Sequence, residues 1–360
     1  MNEVYVFDRD LNLIDVVDTF VSCIWRPAFF DVGDFELYLS ASEKMVGLFK
    51  KDYRLVRKND INIDSDGNTI YKNVMVVKNI AITTDAEDGD FLTVTGKELK
   101  SVIGQRIVWK QTNLKGNIEA EIRRLINENA INPTDVNRVI PGLVLGGIQG
   151  LTSEIEKQLT GTRIDEAIVE ICKSYNYGWD VCICNDKMVF IMYEGVDRSY
   201  NQNENPFVVF SDDFENIMNT SYQLTTEDYA NTTLVGGEGE GTERVFATVG
   251  IDNAGLDRYE VFTDARDLSR NTGTENEISS DDYDLLLKER GNGNLAGLGY
   301  TEGFSGEVIH NVTFKYNEDF FIGDIVTVIS KYGVQSDVRV LSAIETEDEN
   351  GTSLIPQFNI

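Results

Sequence analysis

The stretch Asn231–Leu268, NTTLVGGEGEGTERVFATVGIDNAGLDRYEVFTDARDL, decides how the chain is read. A β-rich run, Asn231–Val235, stops at Gly236-Gly237-Glu238-Gly239-Glu240-Gly241. A second run, Arg244–Val249, follows, and then Gly255-Leu256-Asp257-Arg258-Tyr259-Glu260 leads into Thr263-Asp264-Ala265-Arg266-Asp267-Leu268. The glycine run does not have the spacing of a phosphate loop. That loop needs Lys-Ser or Lys-Thr after its last glycine, and a dinucleotide loop needs Gly-x-Gly-x-x-Gly opening a helix. Here Glu238 and Glu240 alternate with the glycines, and like charge would repel a bound phosphate. The residues that follow, Thr242–Val249, have strand composition, so the glycines are expected to form a hairpin or surface-loop connection.

Working outward, the chain has 360 residues, room for about two to four ordinary domains. It is 41% hydrophobic and 26% charged, enough apolar material for sizeable cores and not the composition of a disordered chain. Five prolines and 30 glycines suit many tight turns. The net charge of −29, from 61 acidic against 32 basic residues, makes the surface broadly negative. It argues against stable nucleic-acid binding, which uses Lys and Arg to displace phosphate counterions, and against an anionic membrane surface. Solubility is the plain explanation. The sharper one is a channel that must not hold DNA, since an acidic lumen lets a polyanion slide.

The four cysteines, Cys23, Cys172, Cys182 and Cys184, make no Cys-x-x-Cys pair. With one histidine, His310, zinc ligation is not expected, and reduced core thiols fit folding in a cytoplasm. One histidine also removes His-x-x-x-His zinc sites, paired-histidine metal sites and Cys–His dyads with a spare orienting histidine. His310 lies in the strand-like Val308–Val312 and is read as structural or exposed. The turn Asp64-Ser65-Asp66-Gly67 lacks a calcium loop's closing glutamate: the twelfth position is Asn73. A hairpin turn is expected there instead. The start, MNEVYVFDRDLN, has no signal-peptide pattern, and no apolar run approaches the roughly 18 residues of a membrane span.

Residues 1–105 read as short strands with polar turns, the pattern of a first β-barrel-like domain, with a short helix at Ser42–Leu48. Residues 106–204 read as an inserted α+β lobe. In it Asn117 caps a helix carrying Ile118, Ile122, Leu125 and Ile126, and Leu151–Leu159 alternates like a strand. Thr162 is expected to cap a second helix with an Ile164, Ala167, Ile168, Ile171, Cys172 stripe. Trp179–Cys184, Asn185-Asp186 and Lys187–Tyr193 make a hairpin. Segment 205–225, with Phe207–Phe210 and Ser221–Leu224, either rejoins the first β domain or opens the second. Residues 226–262 and 304–360 form the second β-barrel-like domain. Residues 263–303 are an excursion whose helix, Asp281–Arg290, is expected to stop at Gly291-Asn292-Gly293. The fold class is therefore β-dominated α+β, with two barrel-like units, an inserted lobe and a helical excursion.

Several blocks resemble a known family, the hub or tail-associated (tail-tip) proteins of long-tailed bacteriophages and phage-tail-like particles of Gram-positive bacteria. The central block is Tyr229, Asn231, Leu234–Gly239, Gly255–Glu260 and Asp264–Leu268. The first is Trp25-Arg26-Pro27, Gly33–Leu37, Leu92–Gly96 and Arg106-Ile107. The last is Tyr316, Asp319, Phe321, Gly323–Val326, Gly351 and Pro356. The resemblance implies a homotrimeric baseplate hub in the virion. Two similar barrels per subunit would make a pseudo-sixfold ring continuing the hexameric tail tube or distal tail protein. A spike or central fibre protein would sit on the other side, and no cofactor is implied. It makes Asp257, Arg258, Asp264, Arg266, Asp267, Gly323 and Asp324 structural or interface candidates. The chain stops four residues past Pro356, so no lysin region is expected after the hub. No catalytic, cofactor or metal residue is assigned. Among 61 carboxylates only Asp264-Ala265-Arg266-Asp267 stands out, and its plain reading is an ion pair forked by Arg266. Two rival readings remain. A glycan-cutting tail enzyme requires two carboxylates about 5–10 Å apart. A carbohydrate-binding module requires exposed aromatics on one face, for which Trp25, Trp109 and Trp179 are the tryptophans available.

Overall fold

The computed structural model describes residues 3–86, 89–270, 278–299, 301–309 and 313–359. His310 lies outside the described residues. β-strands dominate, as the alternating runs predict, and a single large sheet organises both ends of the chain. Its path runs from Ile217–Thr225 through Thr301–Val308 to the C-terminal hairpin, Gly351–Asn359 and Gln335–Asp348. It continues through Ser22–Arg26, Asp34–Ser40, Gly89–Glu98, Met75–Asp85, Arg54–Arg57 and Val4–Phe7 to Leu13–Val17. That order is an open path, and no closed barrel is formed among the described residues.

The strand Gln335–Asp348 is the seam. One edge pairs with Gly351–Asn359 from Arg339 to Asp348. The other edge changes partner: Gln335–Arg339 pairs with Ile325–Ile329, and Glu345–Asp348 pairs with Ser22–Trp25. The register shifts between Val340 and Ser342, where a bulge re-aims the strand between the two partners. Segment 205–225 joins the C-terminal side: Val209–Ser211 pairs with Ile325–Ile329, and Ile217–Thr225 with Thr301–Val308.

Each β unit has its own core. Trp25, Phe35, Leu37, Leu39, Leu55, Met75 and Val94 fill the N-terminal one. Phe210, Phe304, Phe320, Val326, Val340 and Phe358 fill the C-terminal one. The lobe packs helices Ile118–Ile126 and Ile164–Tyr175 against a five-stranded sheet. All five residues of the predicted Ile164–Cys172 stripe are buried, and Asn117 caps the first helix by accepting from the Ala120 amide at 3.0 Å. The second cap differs from expectation. Arg163, not Thr162, is the N-cap, and it makes no side-chain capping bond. Asp165 in the first turn binds the Glu166 amide instead, at 2.9 Å. The lobe sheet also recruits Ile61–Ile63 and Thr69–Tyr71, the hairpin around the predicted Asp64–Gly67 turn. In that turn Asp64 accepts from the amides of Asp66 and Asn68.

Within the opening stretch, Thr232–Gly236 pairs antiparallel with Phe246–Val249 and parallel with Glu260–Asp264, a separate three-stranded sheet. The glycine run is the connection between the first two strands, as its composition predicts. Helix Ser280–Ala296 covers this sheet and does not stop at Gly291. The reason is packing. A Cβ on Gly291 would come within 2.8–3.0 Å of Val235, Val249 and Thr233, so glycine lets the helix lie close on the sheet. Ser279 caps the helix from the Asp282 amide at 3.1 Å.

Candidate functional site

The seven candidate residues fall into two places. Five surround the small sheet. Asp264 ends its last strand and receives two arginines: Arg266 forks onto it at 2.6 and 3.0 Å, and Arg244 reaches it at 2.7 Å. Arg244 also donates to the carbonyls of Gly236 and Gly237, so the glycine run, Asp264 and Arg266 form one knot. The Arg266 guanidinium holds the Asp264 carboxyl down at about 2. Asp267 does not share this knot. It takes a bidentate fork from Arg290 on the covering helix, at 2.9 and 2.7 Å. Arg258 binds Glu260 at 2.6 Å and the carbonyls of Ile251 and Asn253. Beside it the Asp257 carbonyl accepts from Asn231 at 2.6 Å. The family-like residues here therefore shape loops at one rim, with Leu256 and Tyr259 exposed.

Gly323 and Asp324 sit at the junction of the lobe and the C-terminal β unit. Asp324 is 2% exposed. Its carboxylate accepts from the Val196 amide at 2.8 Å, Arg198 Nε at 2.7 Å and the Phe321 amide at 3.0 Å. Segment 194–198, leaving the lobe, is thus pinned to the turn before Ile325–Ile329. Gly323 has φ +98, and a Cβ there would strike the Phe29 ring at 2.5 Å. The fit needs a residue without a side chain in a left-handed conformation.

Sequence reasoning missed a third cluster at the seam. Arg57, 4% exposed at its side chain, binds Asp60 at 2.7 Å and Glu345 of the seam strand at 2.6 Å, and lies over the Trp25 ring. Burial pushes the Asp60 carboxyl up, and Arg57 opposes it. The available signal was an arginine inside Arg54–Arg57, a strand in which all four residues are buried. Glu98 was missed as well. It accepts from the Gly33 amide at 2.6 Å and pairs with Lys100 at 3.1 Å. Burial raises its carboxyl to about 7, against the pull of Lys100. Among the described residues no group of histidine, cysteine and carboxylate side chains is arranged to hold a metal, and no helix is long and apolar enough to cross a membrane. Cys23, Cys172, Cys182 and Cys184 are free thiols, and burial raises the first three to about 12.

The fold, an open-ended sheet organised by a C-terminal hairpin with an α/β lobe on one side, is shared with solved phage tail proteins. A tail protein of Neisseria meningitidis MC58 matches with TM-score 0.58 and 13% identity, over 100% of this chain and 96% of that one. The 43 kDa tail protein of prophage MuSo2 from Shewanella oneidensis matches with TM-score 0.58 and 10% identity, over 99% and 98%. Prophage tail protein gp18 of Listeria monocytogenes EGD-e matches with TM-score 0.51 and 12% identity, over 99% and 94%. The chain belongs to the family of Siphovirus ReqiPepy6 Gp37-like proteins, whose sequence pattern matches residues 3–358. No curated protein matches the sequence.

Proposed function

We propose that this tail protein is the structural hub of a tail tip or baseplate. Three copies close a ring, and each contributes two β units, so the ring offers six similar faces to a hexameric tail tube or distal tail protein. Its other side meets a threefold spike or central fibre protein. The observation that carries this reading is the seam: one strand, Gln335–Asp348, serves both β units, so each copy presents them as one connected pair. Membership of a tail-protein family supports it, and so does a shared fold over nearly the full length of two tail proteins. The net charge of −29 suits a passage along which DNA slides without binding. In such a ring the contacts are heterologous and close only if the rotation closes. The exposed rim around Asp257, Arg258, Asp264, Arg266 and Asp267 is then a subunit or tube contact, while Gly323 and Asp324 hold the shape that presents it. No catalytic role is assigned, and the protein resides in the virion tail.

Native mass spectrometry and light scattering over a range of concentrations test this. The expected species is a trimer of the 40.5 kDa chain, alone or on addition of the tail-tube protein. A stable dimer, or a monomer that ignores the tube protein, would sink the ring. The pair Asp264→Asn and Asp267→Asn separates the hub from a glycan-cutting enzyme. Lost assembly supports the hub; lost glycan turnover with assembly intact supports the enzyme.

A further inference from the structure

The lobe carries a formed cavity that the hub role does not use. Trp109 stands at its edge with 65% of its surface exposed, whereas Trp25 and Trp179 are wholly buried. Their indole N–H groups donate to the carbonyls of Asn73 and Phe30. An exposed indole adds little to stability, yet this one is held firmly. The Arg138 guanidinium lies 5.1 Å from the ring centre and covers one face. Arg138 is itself fixed, donating to Ile107 O at 2.6 Å and to Asn129 Oδ1 at 3.3 Å. The Trp109 amide donates to the same Asn129 oxygen at 3.3 Å. Asn129 is buried and anchored through its Nδ2 to Leu125 O at 3.0 Å. It sits in a π-turn, Asn127–Ile131, where one extra residue per turn swells the end of the helix beside the indole.

We propose that this cavity binds a neutral pyranose unit of an oligosaccharide. Its volume is about 400 Å³, within the range of ligand pockets, roughly 300–1,000 Å³. The wall mixes an aromatic plate with hydroxyl-compatible groups, Asn132, Glu128 and Asp135. A pyranose matches both. Its axial C–H face is apolar and stacks on indole, while its hydroxyl edge needs donors and acceptors together. The lining is locally balanced, with Lys110 and Arg138 against Glu128 and Asp135, in a chain that is otherwise strongly acidic. That balance disfavours an anionic or cationic ligand. An apolar protein side chain would leave the polar wall unpaired.

The test is fluorine NMR of the full chain carrying fluorotryptophan, titrated with cellotetraose, maltotetraose and chitotetraose. Its three tryptophans give separable probes. One resonance is expected to move saturably with at least one sugar, at a half-saturation of about 1 mM. In calorimetric titrations with the same sugar, Trp109→Ala removes the binding heat, Trp109→Phe keeps a weaker binding, and the melting temperature of both variants stays unchanged. No movement with any of the three sugars overturns the proposal. So does calorimetric binding that survives Trp109→Ala, or a large loss of stability in that variant, which would make Trp109 a packing residue. The readout is a single side chain in any oligomeric state, so it succeeds or fails independently of the hub.

Discussion

Arg57 and Arg266 both pair with aspartate, and the two clusters behave oppositely because one is dry and the other wet. At the seam, Arg57 joins Asp60 and Glu345 with almost no solvent contact. At the rim, Arg266 forks onto Asp264 with both side chains largely in water. Coulomb attraction at the same distance is far stronger in the low-dielectric seam, and removing one partner there strands a buried charge. At the rim, water and salt replace a lost partner. Geometry alone would rate the bidentate rim pair higher, so burial rather than bond count decides which cluster holds the fold and which is free to serve a contact.

The strongest way to break that contrast is Arg57→Ala. It should lower the unfolding free energy by about 3–5 kcal/mol, read from the urea midpoint, because Asp60 and Glu345 lose their shared cation. An unchanged midpoint would mean that water reaches the seam. The next effect is a pH dependence. The Glu98 carboxyl titrates near 7 in the folded chain against an ordinary value of 4.5. Between those values the folded state holds a proton that the unfolded state has released. Stability from this group is therefore fully present below pH 4.5 and declines as pH rises to about 7, by about 3 kcal/mol in all. Glu98→Gln should flatten that part of the profile; an identical slope in the variant would assign it elsewhere. Asp324→Asn should cost about 1.5–3 kcal/mol, since a charge-assisted bond to Arg198 becomes a neutral one. Its signature is earlier proteolysis within residues 194–206. Uniform protection there would show that the junction does not depend on the charge. The smallest expected effect is that of Asp264→Asn. The urea midpoint should not move at low or high salt, and a measurable loss would move the rim cluster into the same category as the seam.

Short-range features were legible in the sequence. The stripe from Ile164 to Cys172, the Asn117 cap and the Asn185-Asp186 hairpin depend on neighbours within a few residues, and each has a periodicity or turn chemistry of its own. The helix end at Gly291 was misread for a physical reason. Glycine is both a stop signal and the residue that allows close packing, and only the sheet beneath it tells the two apart. Seam and junction were not readable, because their partners lie far apart in sequence: Glu345 is 288 residues from Arg57, and Asp324 is 126 from Arg198. The candidate rim was partly legible. The sequence predicted an Arg266 fork, and the structure adds Arg244, while Asp267 belongs to Arg290 instead.

The change of partners along Gln335–Asp348 has a mechanical consequence. Force applied between the two β units runs along a strand that stays paired with Gly351–Asn359 across the change of partners, so it loads those hydrogen bonds together in shear and does not peel them one by one. The weak axis is the bulge between Val340 and Ser342, the point where the two β units would flex against each other.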